Sequence, residues 1–251
     1  MLGLAGCAAV PAIPQSALAE ARDLLAPGGR LRAGLYVGGP SSVLKDADGS
    51  LRGVGHDLAR ELARELRVEF EPVLFERNAE VIDAVKAARV DVVFSNATPE
   101  RMKDIDFSQP YLRIGLGYLA RADAPITDIR EVDRRGVRVA ILQGGTSDAV
   151  LSKSLKEAQI VRVRSVPEGI EFLRTGRVDV LASQKATLFE MADQLPGSRV
   201  VEGNWGVENH AIGIPKGRDR ALPFLREFVD DAGQRGLVRD AVRRAGLRGT
   251  L

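Results

Sequence analysis

Arg89-Val90-Asp91-Val92-Val93-Phe94-Ser95-Asn96 and Arg177-Val178-Asp179-Val180-Leu181-Ala182-Ser183-Gln184 are the two stretches on which the fold turns. They are identical at five of eight positions, and at a sixth they exchange one carboxamide for another. Each follows a helical pattern and each reads as a short buried strand. Two explanations are open at this point: chance likeness between two apolar strands, or two lobes of similar build. In the second case each lobe presents the carboxyl end of a strand, which is where open α/β sheets bind ligands. Ser95 and Asn96 then line one wall of a cleft, and Ser183 and Gln184 the other.

Working outward, residues 31–36 read as a strand after the Pro27-Gly28-Gly29 break. Asp57 is placed to cap a helix whose apolar stripe is Leu58, Leu62, Ala63 and Leu66. Residues 68–74 are extended, 80–87 helical through Val81, Ile82 and Val85, and 90–94 a buried strand. The second half repeats the syntax with a strand at 137–142, a glycine-rich turn, and a helix at 147–158. Ser165-Val166-Pro167-Glu168 then has the spacing of a capping box, opening a helix through Ile170 and Leu173. Strands alternating with helices imply α/β lobes, each a doubly wound, mostly parallel sheet flanked by helices. Strand-like passages at 111–119 and 209–214 flank the second unit, so the chain crosses twice, forming a hinge. Lobe one is then 28–112 with 210–251, and lobe two is 116–206. The helices at 221–232 and 237–245 are expected to pack back on lobe one.

A chain of 251 residues, 45% hydrophobic and 28% charged, can bury a core, either as one domain or as two lobes of about 100 residues each. A net charge of +2, with no block of Lys and Arg interleaved with aromatics, excludes a nucleic-acid footprint. Residues 1–19 are small and apolar, and Ala17-Leu18-Ala19 fits a secretory cleavage site, so an exported, periplasmic protein is expected. The single cysteine, Cys7, follows Leu4-Ala5-Gly6, which leaves a lipid anchor open as a second reading, and a loose apolar tail as a third. No later run approaches the roughly 18 apolar residues of a membrane span.

Thr98-Pro99-Glu100-Arg101 has the pattern of a helix start, with Thr98 as N-cap and Pro99 in the first turn. That places Arg101 beside the end of a strand, where its planar guanidinium matches a carboxylate. A solvated or ion-paired surface arginine is the alternative. Gln143-Gly144-Gly145-Thr146-Ser147-Asp148 joins a strand to a helix, and its backbone N–H groups at Gly144, Thr146 and Ser147 could converge on an anion. The same residues serve equally to cap a helix, and the spacing is not that of a nucleotide phosphate loop. Only His56 and His210 exist, both read as structural, and no cluster has metal-ligand spacing, so neither a cofactor nor a metal is expected.

Thr98-Pro-Glu-Arg-Met-Lys-Asp-Ile-Asp-Phe-Ser-Gln-Pro-Tyr111 is similar to the Thr-x-x-Arg…Phe-Ser-x-Pro-Tyr signature of family 3 of the bacterial extracellular solute-binding proteins. Gly53-Val-Gly-His-Asp57, Gln143-Gly-Gly-Thr146 and His210-Ala-Ile-Gly-Ile-Pro-Lys-Gly217 carry the resemblance from about residue 30 to the C-terminus. It implies the type II periplasmic-binding-protein fold and a binding role, without catalysis, for a monomer that delivers a small carboxylate or amino-acid-like ligand to an ABC transporter permease. Arg101 is then the carboxylate clamp and Thr146 its partner from lobe two, with Ser95 and Asn96 alongside and Tyr36 the only aromatic near the first strand. Where the family has an acid for the ligand ammonium, this chain has Gln184. Glu208 could supply that charge, or be an exposed loop glutamate. Trp205 is read as packing. Two alternatives are a cyclohexadienyl-dehydratase-like enzyme on the same fold and a sensor for a membrane or redox partner.

Overall fold

The structure, a computed structural model, describes residues 15–251. Cys7 and most of the leader-like segment lie outside the described residues. A helix, α1 (Gln15–Leu25), runs without a break through Ala17-Leu18-Ala19 and buries Ala21 and Leu25. Strand β1 (Arg30–Tyr36) follows, then a small hairpin of β2 (Leu44–Lys45) and β3 (Leu51–Arg52), and α2 (Val54–Leu66). Asp57 does not cap α2. The N-cap is Gly53, four residues earlier, because the loop carbonyls of Pro40, Ser41 and Ser42 already accept from the N–H groups of Val54, Gly55 and His56. Gly53 has φ 154°, and a Cβ there would fall 2.3 Å from the Ser42 carbonyl oxygen, so no other residue fits.

Strand β4 (Glu69–Phe75), helix α3 (Asn78–Lys86) and strand β5 (Val92–Asn96) complete the first βαβ layers, with β1 parallel to both β4 and β5. A short turn of helix, α4 (Pro99–Met102), leads to β6 (Ile105–Phe107) and the long β7 (Leu112–Ala120). The second unit comprises β8 (Arg138–Leu142), α5 (Thr146–Ser154), β9 (Gln159–Val163), α6 (Val166–Arg174), β10 (Val180–Gln184) and α7 (Lys185–Gln194). Helix α5 ends four residues before the expected 158, which leaves room for the additional strand β9. Then come β11 (Arg199–Val200), β12 (Gly206–Pro215), α8 (Leu222–Gln234) and α9 (Leu237–Ala245).

Ten strands form one continuous sheet in the order β4-β1-β5-β12-β7-β10-β8-β9, with β6 and β11 at its sides. Within each half the neighbours are parallel. The halves join through β7 and β12, which are antiparallel to each other and to the strands they meet. Strand β12 pairs with β5 over His210–Gly213 and with β7 over Gly206–His210, and β7 pairs with β10 over Leu116–Ala120. The Phe107-Ser108-Gln109-Pro110-Tyr111 motif is a splice onto β12. Ser108 N donates to the Ile212 carbonyl at 2.9 Å, its Oγ accepts from Ile212 N at 3.0 Å, and Tyr111 N donates to the His210 carbonyl.

Apolar clusters lie on both faces of the sheet. In the first half Leu31, Leu58, Leu62, Phe94, Ile212, Leu225 and Phe228 form the largest, and α3 covers a second with Val81, Val85, Val93 and Ile105. In the second half Tyr118, Ile141, Leu151 and Trp205 pack on one face, and Leu119, Leu173, Leu181 and Leu188 on the other. The eight-residue repeat has a shared physical basis. Asp91 accepts from Arg32 N, Nε and Nη2 at 3.1, 2.8 and 2.8 Å, and Asp179 accepts from the same three atoms of Arg138 at 2.8, 3.0 and 2.8 Å. Chance likeness between strands does not produce the same lock twice.

Candidate functional site

The register of the central strands sets the site. Gln184 lies opposite Leu116, which lies opposite Gly206, and Ile114 and Leu112 pair in turn with Glu208 and His210. His210 also lies opposite Asn96. Directly paired residues share a face, and so do residues two apart on a strand. Gln184, Glu208, His210 and Asn96 therefore stand in a row on one face, crossing from the second half of the sheet to the first. Helix α5 covers that face in the second half, and Thr146, its first residue, approaches Glu208.

Glu208 is only 8% exposed and His210 5%, so the reading of Glu208 as an exposed loop glutamate is wrong. His210 Nε2 lies 2.9 Å from Glu208 Oε2. Burial pushes the Glu208 carboxyl up, but the His210 contact, the Thr146 hydroxyl and the positive charge of Arg101 outweigh it and hold its pKa below the usual glutamate range. The carboxylate is ionised at neutral pH.

Arg101 is placed by α4 as the sequence pattern implies. The Thr98 hydroxyl accepts from Arg101 N at 3.2 Å and caps the turn, with Pro99 in its first turn. The guanidinium bends back to the end of β5, where Nη1 donates to Ser95 Oγ at 2.8 Å and to the Asn96 carbonyl at 3.0 Å. Burial pushes its pKa down while the charge of Glu208 acts the other way, yet a guanidinium stays charged. It has no carboxylate partner among the described residues, so its remaining N–H donors are free for a ligand anion. Asn96 is fixed by its side-chain oxygen, which accepts from Asn209 N at 2.9 Å.

Three expected contacts come out differently. The Gly144 N–H donates to Asp148 Oδ2 at 3.0 Å, so this turn partly satisfies itself and Gly144 has no N–H to offer an anion. Ser147 is buried, at 5% exposure, within the first turn of α5. Tyr36 packs against the α3 side of the sheet with Val73, Phe75 and Phe107, the face opposite Glu208. Its ring folds over Gly38, where a Cβ would come within 2.2 Å of the ring carbon Cζ. Tyr36 thus fills the space of the missing side chain at 38 rather than standing in the Glu208 row. Trp205 is a packing residue, its Nε1 donating to the Gly117 carbonyl at 2.8 Å. His56 is structural as well, stacked edgewise on Phe70 at 5.4 Å.

His210 is the residue that sequence reasoning undervalued. The i, i+2 spacing of Glu208 and His210 on a strand was the available signal, since it puts both on one face. Two buried polar atoms in this row have no protein partner: Gln184 Oε1 and His210 Nδ1. Unsatisfied buried atoms are rare enough to mark a place where another molecule completes the bonding. Among the described residues no group of three His, Cys, Asp or Glu could hold a metal ion, and no helix is long and apolar enough to cross a membrane.

A hinged α/β sheet with a cation from one lobe, a helix N-terminus from the other and a buried acid between them defines a two-lobed binding protein. The chain belongs to the bacterial extracellular solute-binding proteins, family 3, whose pattern matches residues 31–239. It is 26% identical over 175 residues to the glutamine-binding protein of Geobacillus stearothermophilus, covering 67% of this chain and 65% of that protein. It is 28% identical over 162 residues to the L-arginine-binding protein of Pseudomonas aeruginosa, covering 63% of this chain and 62% of that protein. These matches thus span just under two thirds of the relatives' own lengths. Among solved structures, the solute receptor for L-cysteine of Neisseria gonorrhoeae superposes with a TM-score of 0.77 at 28% identity, covering 87% of this chain and 90% of that one. An ancestral amino acid-binding protein described as a precursor of cyclohexadienyl dehydratase gives 0.76 at 26% identity, covering 88% and 97%.

Proposed function

We propose that this protein is the ligand-capturing component of an ABC importer, exported to the periplasm, which binds a small amino-acid-like carboxylate and presents it, as a monomer, to a permease. The observation that carries the reading is the Arg101 guanidinium, held at the end of β5 by Ser95 Oγ and the Asn96 carbonyl with N–H donors to spare, alongside the buried Glu208 and His210 of β12. The relatives named above are amino-acid-binding proteins, which supports a binding role over an enzymatic one. In the proposed mechanism the ligand carboxylate docks on the free N–H groups of Arg101 in the open form. The body 116–206 then swings on β7 and β12 toward the body 28–112 with 210–251, and water is excluded from the charge. Lobe one already approaches lobe two at Gly39, where a Cβ would stand 3.5 Å from Thr187 Oγ1 of α7.

A thermal-shift screen of the purified chain against arginine, glutamine, cysteine, cystine and simple dicarboxylates tests this, because a cleft ligand stabilises the folded state by mass action. At least one amino acid is expected to raise the melting temperature in the wild type and not in Arg101→Ala. No response to any of them removes the reading.

A further inference from the structure

We infer that α1 is a permanent part of lobe one, and that Ala17-Leu18-Ala19 is not the point at which the chain is processed: any cut that trims it falls before Gln15.

Gln15-Ser-Ala-Leu-Ala-Glu-Ala-Arg-Asp-Leu-Leu25 contains no glycine, proline or β-branched residue, so its intrinsic preference is helical. A cleavage pattern asks for small residues two apart, as Ala17 and Ala19 are. Alanine is also the strongest helix former, so these residues fit either role and only their packing separates the two. Leu18, Ala21, Arg22 and Leu25 are spaced i, i+3, i+4 and i+7, the stripe of a helix with one buried face. All four are engaged. Ala21 and Leu25 are 2% and 0% exposed, and Leu18 packs against the same lobe-one cluster. Arg22 Nε donates at 2.9 Å to the Leu66 carbonyl, at the end of α2, where intrahelical N–H groups have run out.

Glu20, the residue directly after the cleavage pattern, pairs at 3.1 Å with Arg220 in the turn Asp219–Ala221 that leads into α8. Helix α1 thus spans the end of α2 and the start of α8. Ala26 N donates to the Arg22 carbonyl at 2.8 Å and Gly29 N to the Ala26 carbonyl at 2.9 Å, which turns the chain directly into β1 at Arg30. A cut after Ala19 would take Gln15 to Ala19 from this eleven-residue helix, remove Leu18 from the stripe, and leave fewer than two turns to hold the entry to β1. Lobe one therefore begins at Gln15 and not at residue 28.

Two substitutions in the full chain separate the roles. In a cleavage pattern the middle residue is free to vary and the last must be small, so Leu18→Asp would be processed normally and leave the trimmed protein unchanged, whereas Ala19→Asp would block processing. The fold reverses the requirement, because Leu18 faces the core and Ala19 is exposed. The test carries the wild type and both variants behind an independent export signal, recovers them from the periplasm of a bacterial host, and measures intact mass and thermal melting. All three are expected to retain residues 15–19. Leu18→Asp should melt about 4–8 °C below the wild type and Ala19→Asp within about 2 °C of it. Should Leu18→Asp fail to accumulate, Leu18→Ala takes its place, with a fall of about 2–4 °C. A wild-type product beginning at Glu20 overturns the inference, and so does a Leu18 variant that melts with the wild type.

Discussion

Asp91 and Asp179 do the same work in the two halves of the molecule: each carboxylate ties the helix-to-strand turn before it to an arginine in the first residues of the neighbouring parallel strand, Arg32 or Arg138. Asp91 is fully buried and takes a further bond from Arg218 Nη1 at 2.9 Å, whereas the Asp179 side chain keeps 14% of its surface exposed. Removing one partner of a buried pair leaves the other charge uncompensated. Asp91→Ala is therefore expected to cost about 3–5 kcal/mol of stability, and Asp179→Ala distinctly less, in urea denaturation followed by circular dichroism. Equal small losses at both positions would remove the claim that the Asp91 lock is the stronger.

Acid should act on the same lock. Burial pushes the Asp91 carboxyl up, but hydrogen bonds from Arg32 and Arg218 outweigh that and leave its pKa below the unfolded value. A depressed folded pKa gives stability that is present above the unfolded value of about 3.9 and lost as pH falls through the folded value. The urea midpoint should accordingly be flat in this contribution near neutrality and fall below about pH 4. Asp91→Asn should start lower and fall less steeply. A parallel pH profile for the two proteins would place the acid sensitivity elsewhere.

The repeat made the two-lobed architecture legible, since matched strands flanked by helices leave few other folds, and Arg101 was legible through the Thr98–Pro99 helix start. What escaped was whatever depends on the partner across the sheet. Glu208 lies just before the strand-like 209–214 and reads equally as loop, yet β12 begins earlier, at Gly206, so Glu208 and His210 turn inward between the lobes while Asn209 faces away. Asp57 looked like a cap because nothing in the sequence shows that the 40–42 loop already satisfies the start of α2. It instead accepts from Arg244 Nε and Nη2 at 2.9 and 2.7 Å, a contact across 187 residues. Tyr36 was offered by the resemblance as the only aromatic near the first strand, but the alternation of β1 assigns it to the α3 face.

Gly38 is expected to be irreplaceable only while Tyr36 is present. An added Cβ would overlap the ring at 2.2–2.5 Å, and overpacking of that kind costs about 1–3 kcal/mol. Gly38→Ala should therefore destabilise the wild type, and the same change in a Tyr36→Ala background should cost much less. Thermal melts of the four proteins give the coupling directly. Additive losses would mean the ring moves aside freely.

The proposed Arg101 clamp predicts that Arg101→Ala weakens whichever carboxylate ligand binds by about 2 kcal/mol or more, the scale of a charge-assisted bond whose partner is left unpaired. Arg101→Lys should recover part of this, because a lysine keeps the charge but not the fork that also holds Ser95 and the Asn96 carbonyl. Unchanged affinity in Arg101→Ala, measured by titration, would sink the assignment of the clamp.

The segment after α9 gives the last prediction. It leaves lobe one at Gly246, crosses the hinge and docks on α7 of lobe two. Gly115 N donates to the Gly249 carbonyl at 3.0 Å and Leu251 N to the Arg113 carbonyl at 3.1 Å. Arg248 pairs with Asp193 and lies 4.9 Å over the Phe189 ring. The crossing depends on Gly249, with φ +80° and a Cβ that would fall 2.5 Å from Lys185 Cβ. Gly249→Val should detach the end of the segment from α7, while Leu247, a member of the lobe-one core before the crossing, keeps its place. Hydrogen exchange should then quicken at Gly115 and Leu251 and stay slow at Leu62 and Leu181, the pattern of a local opening rather than a global one. A third tie between the lobes that has been cut should also let the ligand-free protein open further, raising its radius of gyration in solution scattering. Faster exchange with an unchanged radius would mean that β7 and β12 alone set the hinge.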